Sequence, residues 1–161
     1  WTWGENVTGT FSSDYDRQNE TEVSLFTDGL KVGYQPQTQM VFGLNLFPIK
    51  DLMVNASMRM NSNFYSGFAP SGRDDIAYAG MDVAKLDDYN LMDVHLSYKL
   101  PLMGTNVTLG AHILNALDSK YITYGEDQGF DTADDGTITA EDPKVFYGSG
   151  RQVRMSLKVD I

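Results

Sequence analysis

Along the stretch 151–161, Val153, Met155, Leu157, Val159 and Ile161 alternate with Gln152, Arg154, Ser156, Lys158 and Asp160. Period two puts the apolar set on one face of a strand and the polar set on the other; on a helix, apolar residues at i and i+2 would wrap round the axis. The same alternation recurs upstream. Val107, Leu109, Ala111 and Ile113 alternate with Asn106, Thr108, Gly110 and His112, and Met92, Val94, Leu96, Tyr98 and Leu100 with Asp93, His95, Ser97 and Lys99. Leu52, Val54, Ala56, Met58 and Met60 alternate with Met53, Asn55, Ser57 and Arg59, and Met40, Phe42, Leu44 and Leu46 with Gln39, Val41, Gly43 and Asn45. At the N-terminus Trp1, Trp3, Val7, Gly9 and Phe11 share a side that Glu5 interrupts. The pattern predicts an all-β chain, an antiparallel up-and-down meander of about six long strands.

The predicted connections are unequal. Residues 47–51 and 101–105 are tight turns, whereas 12–36, 66–87 and 118–147 are long excursions. Short and long connections alternate, so a meander collects the turns at one end and the loops at the other, where long loops signal function or disorder. Two architectures satisfy the alternation. A soluble barrel or sandwich turns the apolar face inward, and an outer-membrane barrel turns it to lipid and lines its lumen with the polar face. The asymmetric loops favour the membrane barrel, as do strands of about 9–12 residues, long enough to cross a bilayer at a tilt. So do aromatics towards strand ends (Trp1, Trp3, Tyr65, Tyr89, Tyr98) and a polar face carrying both charge signs (Arg59, Asp93, Lys99, Arg154, Lys158, Asp160). Strand-end aromatics and mixed charges also occur on solvated sheets, so the pattern alone keeps both architectures open.

Composition narrows the partners. At 161 residues and 42% hydrophobic, the chain is long and apolar enough for one domain with a core. Lys and Arg total 12 against 22 Asp and Glu, a net charge of −10, which excludes a nucleic-acid partner, since phosphate binding needs a basic surface. The absence of cysteine excludes a disulfide framework and thiolate metal sites. No apolar run approaches the roughly 18 residues of a membrane helix, which leaves membrane strands untouched. The chain starts at Trp1 without a visible signal peptide, as expected of a piece of something longer.

Three stretches, 88-DYNLMDVHLSYKL, 107-VTLGAHILNALDSKYI-122 and 145-VFYGSGRQVRMSLKV-159, together resemble the end of a TonB-dependent outer-membrane receptor. In that family the penultimate strand runs into an Asn-Leu-Phe-Asp-x-x-Tyr motif, here 115-NALDSKY-121, and the last strand follows an aromatic-Gly-x-Gly-Arg motif, here 147-YGSGR-151. The segment 29-GLKVGYQPQTQMVFGLNLFPIKDLMVNASMRMNSNFYSGF-68 also resembles these receptors, especially those of Bacteroidota. The resemblance implies a barrel of about 22 strands around an N-terminal plug. Residues 1–161 would then be the C-terminal part of a transmembrane β-barrel, without plug or N-terminal strands, in a bacterial outer membrane. Such a receptor binds a scarce nutrient (siderophore, cofactor, carbohydrate or peptide) at external loops and imports it when TonB acts on the plug. Its implied partners are the rest of the receptor chain, TonB through that plug, outer-membrane lipid and a surface lipoprotein. The turns at 47–51 and 101–105 would be periplasmic and the three long loops external. Two departures stand out: the family usually ends in an aromatic residue where this chain has Ile161, and six strands cannot close such a barrel.

The candidate site residues lie mostly in the long connections. The stretch 131-DTADDGTITAED-142 matches a twelve-residue calcium loop, with Asp131, Asp135, Thr137 and Asp142 at ligand positions 1, 5, 7 and 12 and Gly136 at the turn. Ala133 vacates position 3, Asp142 is shorter than the usual Glu, and strand-like sequence and Pro143 flank it, so a helix–loop–helix hand is not expected. Either the loop holds a calcium ion as a lone staple or it is an acidic, solvated tip. Phe64, Tyr65, Phe68, Arg73 and Tyr78 cluster around one long loop, and Tyr15 and Arg17 lie in another. Aromatic faces and arginines suit ligand contact by stacking and charge-assisted hydrogen bonds, though they equally suit ordinary loop packing. His95 and His112 fall on polar faces of neighbouring strands, as a metal or haem pair or as hydrogen-bonding residues, the second being the simpler reading. No catalytic constellation is present: there is no G-x-S-x-G, no H-E-x-x-H and no phosphate-cradling glycine loop, so no enzyme is expected and no cofactor is required. The competing function is a self-contained small β-barrel or calcium-dependent binding module.

Overall fold

The computed structural model describes residues 1–12, 20–70, 73–74, 76, 79–102, 105–127 and 143–160. The chain is all-β, with antiparallel sheets, and divides into two compact units. One comprises Thr38–Ser62, Asp88–Tyr121 and Tyr147–Ile161; the other comprises Trp1–Gln37, Asn63–Asp87 and Ile122–Phe146.

The first unit is a five-stranded antiparallel sheet. Its strands are β3 (Thr38–Ile49), β4 (Leu52–Ser62), β8 (Tyr89–Leu102), β9 (Thr105–Leu114) and β12 (Gln152–Asp160), hydrogen-bonded in that order. Every strand neighbours its predecessor in this set, so the predicted meander is present. Lys50 and Asp51 join β3 to β4; Asp51 adopts φ 65° and its carbonyl accepts from the Lys99 amide at 2.9 Å. Between Leu46 and Ile49 the β3–β4 register shifts at a bulge containing Pro48, a residue that cannot donate to a ladder and is tolerated here at the sheet edge.

Register aligns the alternation of all five strands. Leu44, Ala56, Val94, Ile113 and Val153 form one cross-strand row, and Leu46, Val54, Leu96, Ala111 and Met155 form the next. The opposite face carries the row Asn45, Asn55, His95, His112 and Arg154. Val41, Met53, Leu91 and Leu114 are apolar intruders on that polar face. The apolar face is uncovered: Phe42, Leu44, Val153, Met155 and Leu157 are all exposed, Met155 to 86%. Among the described residues of this unit none of the apolar side chains is buried; the two buried residues are Asn61 and Asn115. Strands β3 and β12 end the sheet without pairing to each other, so these five strands form an open sheet and not the closed small barrel of the competing reading.

The second unit holds the conventional core. Leu25, Leu30, Phe64, Val83, Ala84, Leu86 and Ile122 are buried there. It is built from short strands: β1 (Val7–Ser12) with β2 (Glu20–Leu25), β5 (Phe64–Tyr65) with β7 (Lys85–Leu86), and β10 (Ile122–Asp127) between β11 (Lys144–Tyr147) and β6 (Gly67–Phe68). The N-terminal stretch therefore departs from expectation. It is not a sixth strand of the long sheet: β1 pairs with β2, which the sequence placed inside a long connection, and Trp1 and Trp3 exchange backbone hydrogen bonds with Val32 and Leu30. A buried Thr27 fixes this turn, its hydroxyl donating to the Glu5 carbonyl at 2.8 Å while the Asn6 side chain accepts from the amides of Thr27 and Asp28.

Candidate functional site

Four of the proposed ligand-contact residues lie together in the second unit, and two of them are committed to its interior. Phe64 is 1% exposed, held by the pairing of β5 with β7. Arg73 is fully buried; its guanidinium donates to the Met81 carbonyl at 2.8 Å and the Asp82 carbonyl at 3.5 Å, while its own carbonyl accepts from the Phe26 amide. A buried guanidinium spent on backbone carbonyls cross-links the chain and is poorly placed to greet an anionic ligand. Tyr65 and Phe68 are half-buried, and Phe68 meets the ring of Trp3 edge-on at 6.0 Å. Tyr15, Arg17 and Tyr78 lie outside the described residues, as does the whole stretch 131–142 with Asp131, Asp135, Thr137 and Asp142. Among the described residues no group of three His, Asp or Glu is arranged to hold a metal ion.

The aromatic surface that the fold leaves open is a different one. Tyr34 stacks on Tyr124 with ring centroids 5.1 Å apart, and Phe146 meets Tyr124 edge-on at 5.8 Å. All three rings are exposed. Lys144 places its ammonium 5.7 Å from the Phe146 centroid, and the Tyr124 hydroxyl donates to the Glu126 carboxylate at 3.1 Å. The hydrogen bond with Tyr34, helped by partial desolvation and by Glu126, pushes the Tyr124 phenol up to about 12. Tyr34 can lie flat here because Gly67 offers no Cβ beneath its ring. A row of ring faces flanked by one cation and one carboxylate suits a ligand with a flat or weakly polar face and hydroxyl groups at its rim. Sequence reasoning passed over these residues, since Tyr34, Tyr124 and Phe146 sit on three separate segments; aromatics in two of the long connections, 12–36 and 118–147, were the available signal.

In the unit of the long sheet, the motifs 115-NALDSKY-121 and 147-YGSGR-151 interlock. Asn115 is buried at φ 49°, and its side chain bonds Ser119 twice, accepting from the amide at 2.9 Å and donating to the carbonyl at 2.9 Å. The Asn115 side-chain Nδ2 also donates to the Ser149 carbonyl at 3.2 Å, reaching from the first motif into the second. Asp118, also left-handed at φ 54°, accepts from the Arg151 amide at 2.8 Å, and the Gly148 amide donates to the Tyr121 carbonyl at 2.8 Å. Tyr121 stacks on Tyr89 at 4.9 Å and covers Gly148, where a Cβ would strike its ring. The Asp93 carboxylate closes the network by accepting from the Asn115 backbone N–H at 2.9 Å. The motifs thus serve to fasten the start of β12 to the start of β8 and the end of β9.

The polar face holds a direct histidine pair. His95 and His112 are opposite in register, and their Nδ1 atoms are 2.9 Å apart. Asn55, beside His95 on β4, donates to Asn45 at 2.7 Å, continuing a hydrogen-bonded polar row. Compared with known proteins, the chain matches no family model and no curated protein by sequence.

Proposed function

We propose that the chain is a wall segment of a TonB-dependent outer-membrane receptor, contributing strands to a larger transmembrane β-barrel and external loops to nutrient capture. The observation that carries this reading is the long sheet. Its apolar face runs unbroken across five strands, is exposed on the outer strands and mostly half-buried on the central ones, and among the described residues includes no buried apolar side chain. A sheet of this kind needs an apolar medium or layer on that face, and lipid supplies one over its whole extent. Other features agree with lipid. The strands are 9 to 14 residues long, the polar face is hydrogen-bonded and bears both charge signs, and β3 and β12 leave two edges for further strands. The interlocked motifs 115-NALDSKY-121 and 147-YGSGR-151 are the residues of the family resemblance.

On this reading, the unit with Tyr34, Tyr124 and Phe146 is the external, ligand-contacting part, and the nutrient is a siderophore, cofactor, carbohydrate or peptide. The remaining wall and plug come from the rest of the receptor, TonB acts through that plug, and a surface lipoprotein is a natural lid partner. The test is the solvent the chain requires. Purified alone, it should stay dispersed only in detergent micelles or lipid vesicles and should aggregate when detergent is removed. A folded, monodisperse chain in plain buffer would overturn the proposal.

A further inference from the structure

We propose that His95 and His112 form a chelating pair for one divalent transition-metal ion, of which copper(II) fits best. The proposal stands on the polar face itself and does not depend on the receptor reading. Register places the two residues directly opposite on β8 and β9, where cross-strand Cβ atoms are closest and side chains meet without backbone movement. Their Nδ1 atoms lie 2.9 Å apart, with ring centroids at 5.1 Å and planes inclined by 60°. Two imidazole nitrogens bound to one metal at their usual bond length are about 2.9 Å apart if the angle between them is a right angle, and wider in a tetrahedron. Right-angled nitrogen donors are the arrangement of tetragonal copper(II), which also heads the affinity order for divalent ions. The histidine side chains are half-buried, so an ion has access.

The surroundings support ligation. Head-on, the two rings share one proton between Nδ1 atoms; a turn about each broad χ2 torsion makes the lone pairs converge on a third point. The Nδ1 proton must then move to Nε2, and for His112 an acceptor is in place, the Ser156 Oγ at 3.5 Å. Arg154, the cross-strand neighbour whose charge opposes a cation, has its guanidinium turned to the Gln152 side chain at 2.7 Å. With no third His, Asp or Glu grouped there among the described residues, the ion's other positions go to water or to a bound ligand's own donors.

The chain contains two histidines, so imidazole signals can come from nowhere else. Copper(II) sulfate is titrated into the full chain at high dilution, and electron spin-echo modulation counts the remote imidazole nitrogens on the bound ion. The expected result is two imidazoles per copper at one ion per chain. His95→Gln and His112→Gln, which keep a polar cross-strand pair, should each weaken binding by about a hundredfold, the scale at which a linked second donor contributes. One imidazole or none on the unaltered chain overturns the proposal whether or not a variant folds. So does a glutamine variant that binds as tightly as the original, since the ion would then sit on the acidic surface.

Discussion

Replacing Asn115 by alanine tests whether the interlocked motifs hold the sheet end together. The substitution removes three side-chain hydrogen bonds, two with Ser119 and one with Ser149, from a side chain that is 5% exposed. The Ser119 amide and carbonyl each lose a partner, at about 1 kcal/mol apiece, while the exposed Ser149 finds water and loses little. Alanine must also adopt the left-handed conformation that asparagine tolerates, at a further cost of about 1 kcal/mol. The local loss is therefore about 3 kcal/mol, or roughly a hundredfold in the population of the opened state. Amide hydrogen exchange at Gly148 and Arg151 reads it, because their own acceptors, the Tyr121 carbonyl and the Asp118 carboxylate, are untouched by the change. Asn115→Gly loses the same bonds without the backbone strain, so its exchange should fall between alanine and the original. If Gly148 and Arg151 exchange at unchanged rates in Asn115→Ala, the motif does not carry the junction and the reasoning fails.

Three other outcomes are expected. On the receptor reading, Met155→Arg puts a charge on the lipid face and should cost about 2–4 kcal/mol near mid-bilayer, whereas Ser156→Arg on the opposite face should cost far less; folded yields in lipid vesicles compare the two. Equal yields would count against lipid on the Met155 side. Arg73→Met keeps the volume but strips the Met81 and Asp82 carbonyls of a buried donor, and should loosen the second unit by about 2 kcal/mol, seen as faster exchange of the Phe26 amide bonded to the Arg73 carbonyl. The Tyr124 phenol, raised to about 12 chiefly by the Tyr34 hydrogen bond, holds its proton more tightly folded than unfolded. Its contribution to stability is thus complete below the ordinary tyrosine range, near 10, and is lost as pH climbs towards about 12. Tyrosinate absorbance should show this late step vanish in Tyr124→Phe and move earlier in Tyr34→Phe.

The five long strands were legible because each repeats one local rule over nine or more residues, and the turns the sequence predicts at 47–51 and 101–105 are where the pattern breaks. The short strands β5, β6 and β7 span two residues each, too few for any period to register. The N-terminal piece misled for a related reason: Trp1, Trp3, Val7 and Gly9 look periodic, but Trp1 and Trp3 bond to Val32 and Leu30 while Val7 begins a hairpin with β2. Arg73 looked like a ligand contact because a loop arginine is normally solvated, and nothing nearby in sequence announces the two carbonyls that bury it.

The division between the two kinds of information follows from range. Sequence alone determined the all-β class, the five long strands of the sheet as elements and the face each of their residues takes, though it added a sixth that belongs elsewhere, because successive side chains on a strand point to opposite sides whatever lies beside it. Tertiary structure decided who stands opposite whom. The meeting of His95 with His112, the burial of Asn115 across two motifs and the stacking of Tyr34 on Tyr124 all depend on register or on contacts between distant segments. A one-residue slip would leave each strand's alternation intact and dissolve every one of these pairs across the sheet, so the alternation could not have specified them.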